Sequence, residues 1–405
     1  MNVSRLLKIA MLNLVLVAFI GVLMRYKIGF EFKWVNQKNL QLAHSGFAFS
    51  GFVSYLLMIL IVDAIKLVLT IQQIIRFNRL IYLHLFLAYS TCILFLISGY
   101  GILSLLSQLA GLIAGGTFII NLLKVLHQYK HSLITNWFKA ASVFYLLSLL
   151  ASFWLIYMFL SGMKTQHTYL AATYWFLHFQ YNGWFFFGCI GLFFHWLSTN
   201  QRLENLQNRV FWLFALSCIP AYGLSVLWLA LPFWLYLVIV VSALLQLIGF
   251  VQFCFVVLNK QIIAIIKLNQ TVFYLFIISL GALFVKIILQ SGSTIPFISK
   301  LAFGFRPIVI AYLHLVLLAF TVLFLIGFIH LNNFFVSTHH FSIAAKIFAI
   351  FVVINELVLG IQGIASLSYT VIPFVNEILL LVALGLFISS LFMVPFKSSK
   401  SSIHL

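Results

Sequence analysis

Acidic residues are almost absent from this chain: five Asp and Glu stand against 23 Lys and Arg in 405 residues. The net charge of +18 therefore comes from missing acids more than from abundant bases. It points to basic loops lying on anionic lipid rather than to a nucleic-acid-binding surface. Charge of either sign makes up 7% of the chain, 64% is hydrophobic, and the mean hydropathy is +1.17. A soluble domain cannot hide that much apolar surface. Long polar stretches are missing too, so no separate soluble domain is expected and residues 1–405 form one membrane domain. The alternating segments of a membrane β-barrel are also missing. The apolar runs are continuous, which leaves helices. Cysteine is sparse: Cys92, Cys189, Cys218 and Cys254 each lie in an apolar run and none is in a CxxC, which argues against a disulfide or a thiolate metal site. The first 24 residues read like a signal peptide without a small-residue cleavage site, so an uncleaved first span is expected.

What is there is an all-α, polytopic pattern of about twelve apolar spans. Their limits are 6–24, 42–64, 80–103, 105–125, 138–162, 168–197, 209–230, 232–258, 270–292, 306–330, 342–365 and 371–395. Tight breaks are expected at Gly99-Tyr100-Gly101 and at Leu231-Pro232. Fifteen Lys and Arg fall on one side of these spans and eight on the other. The positive-inside rule then places both termini in the cytoplasm. The loop from Arg25 to Lys38 is basic on the wrong side, and Lys286, Lys300 and Arg306 are counted with it on the outer side.

The stretch starting at Arg306-Pro-Ile-Val-Ile-Ala-Tyr-Leu-His runs without a further charge to about Phe328. It is long enough to cross roughly 30 Å of hydrocarbon. His314 lies inside it, and an ionisable group there needs a partner or a use. By the expected spans His314 sits roughly 12 Å below the outer end of the tenth. His178 lies slightly deeper in the sixth, and His44 near the outer mouth of the second. His84, His127, His131 and His195 fall towards the inner face.

Two histidines facing each other at similar depth can clamp a haem, each giving one nitrogen to a six-coordinate iron. Beside His44, Gly46 and Gly51 are small enough to admit a flat macrocycle, and Phe47, Phe49 and Phe52 can pack on its rim. A wet interfacial histidine is the alternative. In the sixth span His178, Tyr181 and Asn182 share one helix face, with Gln180 pointing elsewhere. That face can hold a metal, bind a small polar ligand or relay protons, or it can simply be an interhelical hydrogen-bond patch. Glu356 lies mid-span and is a candidate proton carrier, or a glutamic acid bonded to a neighbouring helix. Glu377 lies nearer the outer end of the last span. Asp63 and Lys66 can pair at i, i+3, and His339-His340 falls in the polar 337–342 loop. Lys300 and Arg306 can neutralise haem propionates or snorkel to the surface.

These features together resemble subunit I of the heme-copper oxidase superfamily and its nitric oxide reductase relatives: about twelve spans, both termini inside, and histidines on the second, sixth and tenth. In that family a second-helix and a tenth-helix histidine hold a low-spin haem, and His44 and His314 match them. Val309-Ile-Ala-Tyr-Leu-His-Leu-Val-Leu is similar to the family's tenth helix, with Tyr312 where the ligand of a high-spin haem stands. His178 matches the first copper or non-haem iron histidine, and Tyr181 stands three residues on where many oxidases have a tyrosine at four. The chain departs at the seventh span, where Arg209–Ala230 has none of the histidines that complete a copper site. The resemblance therefore implies one haem b, with a second at Tyr312 open and copper or non-haem iron doubtful. It implies electron transfer, small-gas (O2 or NO) chemistry or sensing near His178, Tyr181, Asn182 and Tyr312. An electron donor such as a partner subunit, cytochrome c or quinol would accompany it, in a bacterial inner membrane. As an enzyme the chain would be an oxidoreductase. The alternative is a haem-free transporter or assembly factor on the same scaffold.

Overall fold

The computed structural model describes residues 1–128, 133–163, 165–197, 204–335 and 338–395, and among them all regular structure is helical, with no strand. In chain order the helices are α1 (Val3–Gly29), α2 (Gln37–Ala64), α3 (Ile71–Ser98), α4 (Ile102–Gln128) and α5 (Leu133–Leu160). α6 runs through Gln166–His178, Phe179–Phe185 and Phe186–Leu197. α7 (Glu204–Cys218), α8 (Phe233–Val257), the short α9 (Lys260–Lys267) and α10 (Gln270–Gly292) follow. The short α11 (Pro296–Gly304), α12 (Arg306–Leu331), α13 (Thr338–Leu367) and α14 (Val375–Phe392) complete the chain.

Ten of these helices are long and apolar enough to cross a membrane, or eleven if α7 and the bent segment after it count as one. The chain is thus a helical integral membrane protein, and its outward faces fit that solvent: Ile97, Ile113, Leu150, Leu216 and Leu381 are each more than half exposed. α6 is outside the ten because Trp175, His178, Gln180, Tyr181 and Asn182 dilute its apolar run. α7 stops at Cys218 because Pro220 has no N–H to continue the ladder. The chain bends by 48° into the 3₁₀ segment Pro220–Val226.

Several helices begin earlier than hydropathy alone implies, because polar caps start them. The Asn36 side chain accepts from Lys38 N at 2.8 Å and starts α2 at Gln37 rather than near residue 42. Thr70 and Gln73 form a reciprocal capping box, with bonds of 3.2 and 2.9 Å, that starts α3 nine residues ahead of the expected 80. Thr70→Ala is expected to cost about 1 kcal/mol, read as a lower thermal midpoint of the purified protein. The two expected breaks are real: Gly99 takes φ +57° directly after α3, and Pro232 precedes α8.

The bundle has an upper end where α1 finishes and α2 and α12 begin. Gln37 Nε2 reaches Met24 O at 3.4 Å, Asn39 Nδ2 reaches Leu96 O at 3.4 Å, and Arg306 Nη2 donates to Gln41 Oε1 at 3.0 Å. α1 packs on α2 and α14, α12 on α10 and α13, and α5 on α6. An aromatic core fills the middle, with Trp137 and Trp184 fully buried among Phe144, Phe179 and Phe187.

Candidate functional site

The early start of α2 changes the depth of His44. It lies seven residues, or roughly 10 Å, inside its helix rather than at the mouth. His314 lies eight residues inside α12. The two rings are close enough for their charges to interact. Each is anchored in the same way. His44 Nδ1 donates to Val17 O on α1 at 3.1 Å, and His314 Nδ1 donates to Ile310 O at 2.9 Å. A carbonyl can only accept, so Nδ1 carries the proton and each neutral ring turns its lone pair out at Nε2. No described protein atom bonds to either Nε2, and both rings keep accessible surface two turns inside the bundle. Gly21 lets α1 close on this pair, since a Cβ there would stand 3.4 Å from His44 Cε1. Between Arg306 and His314 no residue of α12 is fully buried.

Arg25, near the top of α1, acts electrostatically on both histidines. Sequence reasoning counted it only as a misplaced loop charge. Arg306 stands above the pair, fixed to Gln41. The side chain of Lys300 lies outside the described residues, as does His131. Gly46 and Gly51 do not open the backbone to a macrocycle. A Cβ at Gly51 would meet Phe47 Cε2 at 2.3 Å, and one at Gly46 would meet Phe95 at 3.6 Å. These glycines make room for the protein's own rings. Phe47 turns to Tyr89, and Phe49 to Phe176 and Phe185.

His178 is placed differently from His44 and His314. Its Nε2 donates to Cys218 O at 2.8 Å, and its Nδ1 accepts from Asn182 Nδ2 at 3.0 Å. The break at Pro220 interrupts the ladder beside that carbonyl, and the imidazole caps it. With both nitrogens used, this ring joins α6 to α7. Gln180 Nε2 donates to Ser148 Oγ on α5 at 2.8 Å. Tyr181 and Tyr312 join hydroxyls across α6 and α12, with ring centres 6.2 Å apart. Among the described residues no group of three or more His, Cys, Asp or Glu can hold a metal ion.

α2, α6 and α12 share one distortion. Each widens into a π-helix, over Ala48–Ser54, Phe179–Phe185 and Leu315–Val322. Two of these follow a histidine directly, and the third begins one turn after His44. Wide turns loosen the i→i−4 ladder, and side chains of other helices reach the carbonyls. Asn13 Nδ2 donates to Gly51 O at 2.5 Å, His84 Nε2 to Ser50 O at 3.2 Å and Ser279 Oγ to Phe320 O at 2.8 Å. His84 is therefore mid-bundle rather than near the inner face, because α3 begins at Ile71. π turns concentrate at functional sites.

The remaining candidates are dispersed. Glu356 accepts from the neighbouring Asn355 at 3.1 Å on α13. Glu377 is exposed at the start of α14. Asp63 pairs with Lys66 at 2.9 Å, as the spacing predicts. His339 and His340 are exposed in the first turn of α13 rather than in a loop. Lys286, counted as an outer-surface charge, is 4% exposed inside α10, on the face it shares with Ser279, Leu283 and Gln290. Its signal in the sequence is that of His314: one ionisable residue in an unbroken apolar run, Leu283-Phe-Val-Lys-Ile-Ile-Leu. An open, mainly apolar pocket of about 360 Å³ lies between Leu227, Phe233, Tyr236 and Pro296, and none of the candidate residues lines it.

No protein-family model matches the chain, and no curated protein sequence matches it.

Proposed function

We propose that the chain is a membrane cytochrome that holds one low-spin haem b between α2 and α12, with His44 and His314 as its axial ligands. One observation carries the reading: two imidazoles within electrostatic reach, each with Nδ1 tied to a carbonyl and Nε2 free among the described residues. A carbonyl on the far nitrogen is the partner that orients a metal-bound histidine and raises its basicity. The upper turns of α12, where no residue is fully buried, fit a flat group beside the rings. When bound, the haem supplies a one-electron iron couple. Arg25 and Arg306 offer positive charge to its propionates, and the surrounding helices keep water from the site.

Electron transfer is the favoured role: His44 and His314 would both be taken up in holding the haem, which would then supply a one-electron couple rather than a binding position for a gas. The bonds that saturate His178 weigh against copper or non-haem iron there, and the Tyr181–Tyr312 contact weighs against tyrosinate ligation of a second haem. Quinol or a cytochrome is the expected donor class. The reading adopts twelve spans with both termini cytoplasmic, in the layout of heme-copper oxidase subunit I. The competing reading, a haem-free transporter or assembly factor, draws on the same α6 patch, whose His178 and Gln180 tie helices together without any cofactor.

The test is a purified preparation from haem-replete cells. A sharp reduced α-band is expected, and a colourless wild-type protein would end the reading. Arg25→Gln is expected to keep the band but lower the midpoint potential in a redox titration. A positive charge near the ligands favours the electron-rich reduced form, and removing it favours the oxidised one.

A further inference from the structure

The haem reading leaves one buried lysine without a task. Lys286 has no hydrogen bond and no ion pair among the described residues. The four acids whose side chains are described are elsewhere. Glu31 pairs with Lys33, Asp63 with Lys66 and Glu356 with Asn355; Glu377 is exposed on α14. What surrounds the ammonium is the face of Phe186, 5.6 Å from Nζ to the ring centre, with Cys218 and His178 within electrostatic reach. His178 cannot neutralise it, since both its nitrogens are committed. One turn along the same face, Gln290 is 7% exposed, and its Oε1 is buried without a partner.

We propose that Lys286 and Gln290 form a site for a small monovalent anion inside the bundle. A charged group at this depth persists where it has a partner or a use, and among the described residues only the Phe186 ring faces it. In a medium of low dielectric the attraction of one anion to one ammonium is many times its value in water. An amide oxygen and nitrogen exchange places by a 180° flip, so Gln290 can present N–H to the same ion. The surroundings are apolar and aromatic: the Phe186 ring faces Nζ, and Leu283 and Ile287 are buried on the same helix. They favour a weakly hydrated anion, of the class of bromide or nitrite, over fluoride or sulfate. The site is independent of the haem, because no residue is shared with the His44–His314 pair.

The experiment replaces fluoride by bromide at constant ionic strength around the full-length protein in zwitterionic nanodiscs. A saturable rise in thermal midpoint is expected, on the order of 2–4 °C at ten times the Kd. The rise should persist in Lys286→Arg and vanish in Lys286→Met. Equal midpoints in both salts for the wild type, or an undiminished rise in Lys286→Met, would overturn the proposal. If Lys286→Met does not fold, anomalous scattering from bromide-soaked wild-type crystals decides. A peak within hydrogen-bond reach of Lys286 Nζ supports the site, and its absence there refutes it.

Discussion

His314→Ala is expected to remove the sharp reduced α-band of the purified protein completely, and His44→Ala to do the same. The reason lies in how the two rings are held. Each has one nitrogen committed to a carbonyl, 3.1 Å away for His44 and 2.9 Å for His314, so only Nε2 is available to an iron. Losing either histidine would remove one of the two residues proposed to hold the haem, and with it the low-spin state that gives such a band. His178→Ala should behave in the opposite way. It strands the Cys218 carbonyl and the Asn182 amide inside the bundle, at about 1–3 kcal/mol each. The protein should become less heat-stable and keep its colour. Visible spectra and thermal midpoints of the three variants distinguish the roles. A band lost with His178 and kept without His314 would move the cofactor to α6.

The second large effect is expected at Gly183, in the π segment of α6. A Cβ there would lie 2.4 Å from Phe144 Cβ and 2.9 Å from its Cγ. These are stem atoms of a neighbouring side chain and cannot swing aside, so α5 itself would have to move. Overpacking of this kind costs about 1–3 kcal/mol and sometimes more. Gly183→Ala should lower the thermal midpoint strongly and reduce the yield of folded protein. Gly281→Ala is the control, since a methyl group there would have no neighbour within 4 Å on the outward face of α10. There the better helix former should leave stability unchanged or raise it. Equal behaviour of the two variants would mean that the α5–α6 contact is looser than these distances imply.

Much of the architecture is legible in the residues alone. The long apolar runs allow only helices in hydrocarbon, because each backbone polar group must be satisfied within its own segment. Gly99 and Pro232 mark real ends, since one adopts a left-handed φ and the other cannot continue a helix. His44 and His314 also stand out, as ionisable residues in runs that reject charge. Their exact level does not. It depends on Asn36, a polar cap that hydropathy ignores but that starts α2 five residues earlier.

The sequence by itself determined that the chain is a helical membrane protein with scarce acids and a few costly polar residues in its spans, because transfer of side chains from water to hydrocarbon depends on residue type. Only the tertiary structure decided which of those residues are satisfied. Among the described residues it gives His178 two partners, leaves His44 and His314 with one free nitrogen each, and buries Lys286 without an ion pair. It also decided where the helices widen into π turns, a change of one hydrogen-bond step that hydrophobic spacing does not record. Hydrogen bonds between helices depend on depth and rotation together, and neither is written in the composition of a single span.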